Sequence, residues 1–145
     1  MQKDSGEDGR VGEKREDLHG AATGRIEERP KGPAEWLYVT GAHLENLILS
    51  DLLAWRDASI PDRPGLFYWR TATGEEVDFV VERGPALLGV EVKATMRPRL
   101  SDARHLQMFR DEYGDSVRGC LLLHGGEQVE WMGPRILAAP WWRVI

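Results

Sequence analysis

Apolar residues recur along the chain with two different periods, and these predict two helices and several strands. Residues 42–55 carry them every three or four positions, which is typical of an amphipathic helix, and Thr40 or Gly41 is suited to begin it. Residues 99–113 show the same spacing, with Gly114 just past their end. The inward residues would be Leu44, Leu47, Ile48, Leu52 and Trp55 in the first helix, and Leu100, Ala103, Leu106, Phe109 and Tyr113 in the second.

Five segments are rich in β-branched, aromatic or aliphatic residues and are predicted strands. They are residues 66–71, 76–82, 87–94, 117–124 and 128–132. The first three are separated by short turns and should form a meander. A helix joins the third to the fourth, so these two strands should be parallel if they are neighbours. The predicted fold class is α/β, a mixed β-sheet flanked by helices. The apolar segment 133–145 is expected to pack across the core or to meet a partner.

The first 35 residues differ in composition from the rest of the chain. Residues 1–35 hold sixteen charged residues and six glycines, with only scattered apolar positions. Such a segment buries too little apolar surface to offset the loss of chain entropy, so we expect a disordered tail. Residues 36–145 are predicted to form one domain.

Charge and cysteine content narrow the class of protein. The formal net charge is −5 and 41% of the residues are hydrophobic, which fits a protein with a real core. We find no apolar run near the roughly 20 residues of a membrane helix and no signal-peptide pattern. We therefore expect a cytoplasmic protein without a membrane partner. A single cysteine, Cys120, excludes an internal disulfide and is expected in the core.

One lysine gives the best indication of chemistry. Residues 36–145 contain twelve basic residues, of which eleven are arginine and one is Lys93. It follows Glu91 by two positions and Asp78 by fifteen. If the hairpin is centred on Gly84–Pro85, Asp78 lies opposite Glu91. The pattern therefore predicts two carboxylates and one amine on neighbouring strands.

Alternation of side chains along strands places Asp78, Glu91 and Lys93 on one face. Val77, Phe79 and Val81 should then point to the other face. Opposed carboxylates repel each other, and Mg²⁺ or Mn²⁺ bound by Asp78 and Glu91 would offset that repulsion. Lys93 would hold or help to deprotonate an attacking water, or stabilise charge on phosphate oxygens. The alternative is a neutralised pair of Glu91 and Lys93 inside the sheet.

Three arginines follow the lysine closely. Arg97, Arg99 and Arg104 either form a positive edge that binds nucleic acid or belong to a solvated helix start. Residues 36–145 carry twelve basic and fifteen acidic groups, so a positive edge would be local. His43 and His105 lie on predicted helices near these residues, where they either assist the site or are ordinary surface or core residues.

The order of elements, with Asp78 and Glu91-Val92-Lys93 on adjacent strands, resembles the core of the PD-(D/E)xK nuclease superfamily. The stretches GAHLENLILSDL, FYWRTATGEEVDFVVE, LLGVEVKAT and AAPWW are similar to the domain of unknown function that follows the ATPase module in many bacterial and archaeal AAA ATPases. The resemblance implies a restriction-endonuclease-like αβββαβ core. It also implies a catalytic set of Glu45, Asp78, Glu91 and Lys93, a Mg²⁺ or Mn²⁺ cofactor and a nucleic-acid substrate.

The resemblance leaves two questions open. Glu45 would complete the catalytic set, yet an acid in the first turn of a helix is also favoured by the helix dipole. The chain has no match to G-x-x-x-x-G-K-[ST] and is not expected to be an ATPase by itself. An AAA-type ATPase would then act with it in cis, if the chain is a fragment, or in trans. The domain is either a nuclease or an inactive nuclease-fold module that binds nucleic acid or a partner.

Overall fold

The computed structural model describes residues 25–28 and 41–144. This part of the chain forms one sheet of seven strands and two α-helices. The strands are β1 Arg25–Glu28, β2 Gly65–Arg70, β3 Glu76–Arg83, β4 Ala86–Lys93, β5 Val117–His124, β6 Glu130–Gly133 and β7 Ile136–Pro140. The helices are α1 Ala42–Ala58 and α2 Arg104–Tyr113, and 3₁₀ turns at Leu100–Ala103, Gly114–Ser116 and Trp141–Arg143 complete the elements.

The sheet is mixed, as the sequence predicted. Its strand order is β1-β2-β3-β4-β5-β7-β6. Neighbours from β1 to β4 are antiparallel, β4-β5 and β5-β7 are parallel, and β6 returns antiparallel to β7. The meander of β2, β3 and β4 and the helical crossover from β4 to a parallel β5 are therefore confirmed. The α/β class is confirmed with them.

Helix α1 covers one face of the sheet. It begins after Gly41, whose carbonyl accepts the amide of Glu45 at 3.2 Å. Its buried residues Ile48 and Leu49 belong to a cluster with apolar side chains of β3, β4 and β5. Leu47 and Trp55 were expected to face inward, but they are 42% and 49% exposed. The sheet thus covers only part of the apolar face of α1.

Helix α2 covers the opposite face. Leu106 and Phe109 are fully buried against side chains of β3, β4, β5 and β7. The close approach depends on Gly89 in the middle of β4, where a Cβ atom would stand 3.1 Å from the Phe109 ring. The helix ends at Gly114, whose φ of 54° is readily adopted only by glycine. The predicted end of this helix is confirmed.

A β-bulge interrupts the pairing of β3 with β2. Phe67 pairs with Val80 and Trp69 pairs with Val77. Between these two pairs β2 has one residue and β3 has two, so β3 carries one extra residue. The extra residue lies at Asp78 or Phe79. As a result, Val77 joins the cluster under α2, whereas Phe79 joins the cluster under α1. The expectation that Val77 shares a face with Phe79 and Val81 is wrong, because a bulge shifts the alternation by one residue.

Both ends of the described chain differ from the predictions. Residues 136–140, expected only to pack or to meet a partner, form strand β7, which lies between β5 and β6. Residues 25–28, expected in a disordered tail, pair with β2 as strand β1. The remainder of the predicted tail and the predicted domain start at residue 36 lie outside the described residues. Cys120 is buried, as expected.

Candidate functional site

Asp78 and Glu91 meet where β3 begins and β4 ends. The register of these strands runs from the pair Arg83–Ala86 to the pair Phe79–Val90. Continued by one residue, it would oppose Asp78 to Glu91. This is the register that a turn centred on Gly84–Pro85 predicted. The carboxylate of Asp78 accepts the backbone amide of Val92 at 2.6 Å. That hydrogen bond holds Asp78 beside the end of β4 that lies farthest from the turn, and it orients the carboxylate toward the neighbouring strand.

Glu91 lies at the centre of the site. Its side chain is only 2% exposed, and its Oε1 atom lies 2.7 Å from the Nζ atom of Lys93. The Nδ1 atom of His105, on α2, lies 3.7 Å from the same oxygen. The other oxygen, Oε2, is buried and has no hydrogen-bond partner among the described residues. A buried polar oxygen without a partner is costly, so Oε2 is suited to bind a ligand.

Burial and neighbouring charges shift the pKa values of Glu91 and Lys93. Burial, and next the negative charge of Asp78, raise the pKa of Glu91 to about 8, although the hydrogen bond from Lys93 opposes this shift. Burial tends to lower the pKa of Lys93, but the hydrogen bond and charge of Glu91, followed by the charges of Asp78 and Asp102, outweigh it and raise that pKa. Near neutral pH the raised pKa values of Glu91 and Lys93 thus favour a proton on both side chains.

The donor atoms fit a small divalent cation. Mg²⁺ is usually held by one or two carboxylates, with water and substrate oxygens as its remaining ligands. Asp78 and the orphaned Oε2 of Glu91 would supply the protein ligands. Within residues 25–28 and 41–144, no group of three or more histidine, cysteine, aspartate or glutamate side chains is arranged to hold a metal ion. Two carboxylates would leave most positions around such a cation to water or other oxygen ligands.

The family comparison bears on the same region of the chain. The family model described as Domain of unknown function (DUF4143) matches residues 40–144. The chain belongs to this family. The match contains both helices, strands β2 to β7 and every predicted site residue, so the site is part of the DUF4143 domain. No curated protein and no solved structure shows significant similarity to the chain.

An open groove begins at Lys93 in the DUF4143 domain. Its volume is about 780 Å³, and it is lined by Lys93, Ala94, Thr95, Met96, Arg97, Pro98, Arg99, Ser101 and Asp102. Three of these side chains are cations and one is an anion. Arg97 and Arg99 are both exposed. Asp102 instead accepts the backbone amide of Arg99 at 2.7 Å, which begins the helical segment. The lining is thus predominantly basic.

The other predicted residues lie elsewhere. Arg104 is exposed at the start of α2, where its charge acts on Glu75 in the turn between β2 and β3. Glu45 is half-buried in the first turn of α1, and α1 packs on the face of the sheet opposite to α2. The structure brings Asp78, Glu91 and Lys93 together and places Glu45 on the other layer. The roles of Glu45 and Arg104 stay predictions.

His105 also lies at the site, although the sequence indicated no specific role for it there. It was one of two histidines expected near the site, and the structure puts it against the buried carboxylate of Glu91. A weak signal existed: His105 precedes the buried Leu106, and Gly89 on the facing strand marks a close approach of backbone. Asp102, which lines the groove, follows Arg99 at the spacing typical of a helix cap.

Among the described residues, no helix has the length and apolar character needed to cross a membrane.

Proposed function

We propose that this DUF4143 domain is a metal-dependent phosphodiesterase that acts on nucleic acid, with the restriction-endonuclease-like fold and site of the PD-(D/E)xK nucleases. One observation carries the proposal: Asp78, Glu91 and Lys93 converge at the ends of two adjacent strands, and the groove beside them is basic. The order α1, β2, β3, β4, α2, β5 is also the order that this resemblance implies. Both observations support the same reaction class.

Each of these residues would have a different role in such a reaction. Asp78 and Glu91 would hold Mg²⁺ or Mn²⁺, which when bound supplies positive charge and an acidified water. Because the pKa of Lys93 is raised, its amine stays protonated and donates hydrogen bonds. Lys93 would therefore orient the water or stabilise charge on phosphate oxygens, and would not act as a base. Arg97 and Arg99 would neutralise neighbouring phosphates along the groove.

Cleavage assays with matched variants test the proposal. Purified protein is incubated with single-stranded and duplex DNA and RNA, with Mg²⁺, Mn²⁺ or EDTA. We expect metal-dependent cleavage that is lost in Lys93→Met and Asp78→Asn. Arg118→Ala is the control, because Arg118 is exposed near the opposite end of the sheet. Absence of cleavage of every substrate by the wild type, or full activity of Lys93→Met, would refute the proposal.

A second candidate is an inactive module of the same fold that works with an AAA-type ATPase. The observation in its favour is exposed apolar surface near the last strands, where Trp131 is 71% and Trp142 is 45% exposed. Trp131 lies on the edge strand β6, and such surfaces are enriched at protein interfaces. Association with a purified AAA ATPase encoded by a neighbouring gene should then be lost in Trp142→Ala and unaffected by Lys93→Met. The reverse pattern would exclude this candidate.

A further inference from the structure

The segment from Lys93 to Arg99 is held against the turn that follows β5. The backbone amide of Gly125 donates to the carbonyl of Thr95 at 2.8 Å. The amide of Thr95 donates in turn to the carbonyl of Lys93 at 2.7 Å. The hydroxyl of Thr95 lies 3.3 Å from both the amide nitrogen and the carbonyl oxygen of Arg97. One chain of contacts therefore links the Gly125–Gly126 turn to the groove.

Gly126 leaves no space between this turn and the groove segment. A Cβ atom at Gly126 would overlap the carbonyl oxygen of Met96 and lie 2.9 Å from its carbonyl carbon. Both atoms belong to the backbone and have little freedom to move aside. A Cβ atom at Gly125 would stand 3.4 Å from the nearest atoms of Met96 and Thr95, which is close to ordinary contact. The two adjacent glycines thus differ sharply in what an added methyl group would meet.

The side chain of His124 holds the Gly125–Gly126 turn in place. This side chain is fully buried. The residue lies at the end of β5, where its backbone is opposite Lys93 in the parallel register of β4 and β5. The Nδ1 atom accepts the backbone amide of Gly126 at 2.9 Å. An accepting Nδ1 requires the proton of the neutral ring to be on Nε2. The ring therefore holds the Gly126 amide in place through its Nδ1 atom.

We infer that Gly126 is a positioning residue for the groove: its missing side chain lets the segment 94–99 seat against the turn, which places Arg97 and Arg99 beside Lys93. The inference rests on the proposed function only for what the arginines bind. The placement itself follows from the contacts of Gly125, Gly126 and His124.

Proteolysis tests the placement without any nucleic acid. Trypsin can cut after Arg99, whereas Pro98 protects the bond after Arg97, and the fragment mass identifies the cut. We expect Gly126→Ala to accelerate this cut about tenfold, because the displaced segment opens more often. Gly125→Ala should keep the wild-type rate. Equal rates in wild type and Gly126→Ala, or equal acceleration by the two variants, would overturn the inference.

A second pair of variants keeps the test decisive if Gly126→Ala does not fold. His124→Leu removes the acceptor of the Gly126 amide, and His124→Asn restores an oxygen near the place of Nδ1. We expect faster cutting after Arg99 in the leucine variant and recovery toward the wild-type rate in the asparagine variant. Acceleration of similar size in both would show that a cavity, and not the hydrogen bond, controls the segment, and would overturn the role given to His124.

Nucleic-acid binding in EDTA, without cleavage, adds a readout that a general loss of stability would not produce. The salt slope of the binding constant should fall by about one to two in Gly126→Ala, since each lost phosphate contact lowers it by about one. Mn²⁺ binding at Asp78 and Glu91 should be unchanged, and Gly125→Ala should resemble the wild type in both measurements. If the wild type binds no nucleic acid, the proposed function fails while the trypsin comparison still decides the placement. An unchanged slope in Gly126→Ala would overturn the inference even with a binding-competent wild type.

Discussion

Replacing Glu91 by glutamine is predicted to change how the stability of the domain depends on pH. In the fold, burial and the charge of Asp78 raise the pKa of Glu91 to about 8 from an ordinary 4.5. Between these two pH values the folded protein keeps a proton that the unfolded chain has released. The free energy of unfolding therefore falls as the pH rises through this window. Glutamine has nearly the same shape and does not titrate, so the variant should lose this dependence.

The predicted effect is large compared with the stability of a domain. At about 1.4 kcal/mol per pKa unit, the full shift of Glu91 corresponds to on the order of 5 kcal/mol. Natural domains unfold with only about 5–15 kcal/mol. Near pH 5 the wild type and Glu91→Gln should differ by less than about 1 kcal/mol, because the wild-type side chain is then neutral. Near pH 8.5 the variant should be more stable by several kcal/mol, up to about 5.

Urea unfolding monitored by tryptophan fluorescence measures this difference at about pH 5, 7 and 8.5. Glu127→Gln is the control, since it makes the same substitution at an exposed position. Hydrogen bonds from Thr71 and Thr73 lower the pKa of Glu75 to about 2. The stability from such a depressed acid is lost only as the pH falls below 4.5, outside the window. A Glu91→Gln variant that is less stable than the wild type at pH 8.5 would refute the reasoning and show a well-paired, ionised Glu91.

Three further predictions concern metal binding at the site, the packing of α2 on the sheet and the end of α2. Calorimetric titration should show Mn²⁺ binding that tightens as the pH rises from about 6 to 8.5, because the cation must displace the proton of Glu91. The binding should disappear in Asp78→Asn, and an affinity that does not depend on pH would contradict this prediction. Gly89→Val should lower the free energy of unfolding by about 1–3 kcal/mol, because its side chain would press on Phe109, and wild-type stability in urea would show that α2 is free to shift. Gly114→Ala should cost about 1–2 kcal/mol because of its φ of 54°, and an unchanged thermal midpoint would contradict that strain.

Local patterns were sufficient to predict the pairing that forms the site. A turn at Gly84–Pro85 leaves little freedom in how β3 and β4 pair, so the register of Asp78 against Glu91 followed from counting residues. The alternation on β4 likewise separated Glu91 from Val90 and Val92. Both inferences depend only on neighbours in sequence, which is why the sequence was informative about them.

The remaining features depend on contacts between distant segments. Strand β7 pairs in parallel with β5 and lies between β5 and β6, an order that no local pattern indicates. The bulge at Asp78 or Phe79 arises from pairing with β2, and it changes the face of Val77. The contact between His105 and Glu91 requires α2 to lie close to the sheet, which Gly89 permits. The exposure of Leu47 and Trp55 depends on how far the sheet extends beneath α1.

The charge balance of the site would couple the proposed binding of a cation to the proposed binding of a phosphodiester. The raised pKa of Glu91 favours a proton on this carboxyl, and with that proton present the charges of Asp78 and Lys93 would cancel. Loss of that proton on binding of a divalent cation would leave a net charge of about +1, close to the positive groove that contains Arg97. A phosphodiester carries one negative charge and would be attracted to this state. The protonated Glu91 would thus keep the site neutral until a cation and an anionic substrate are both present.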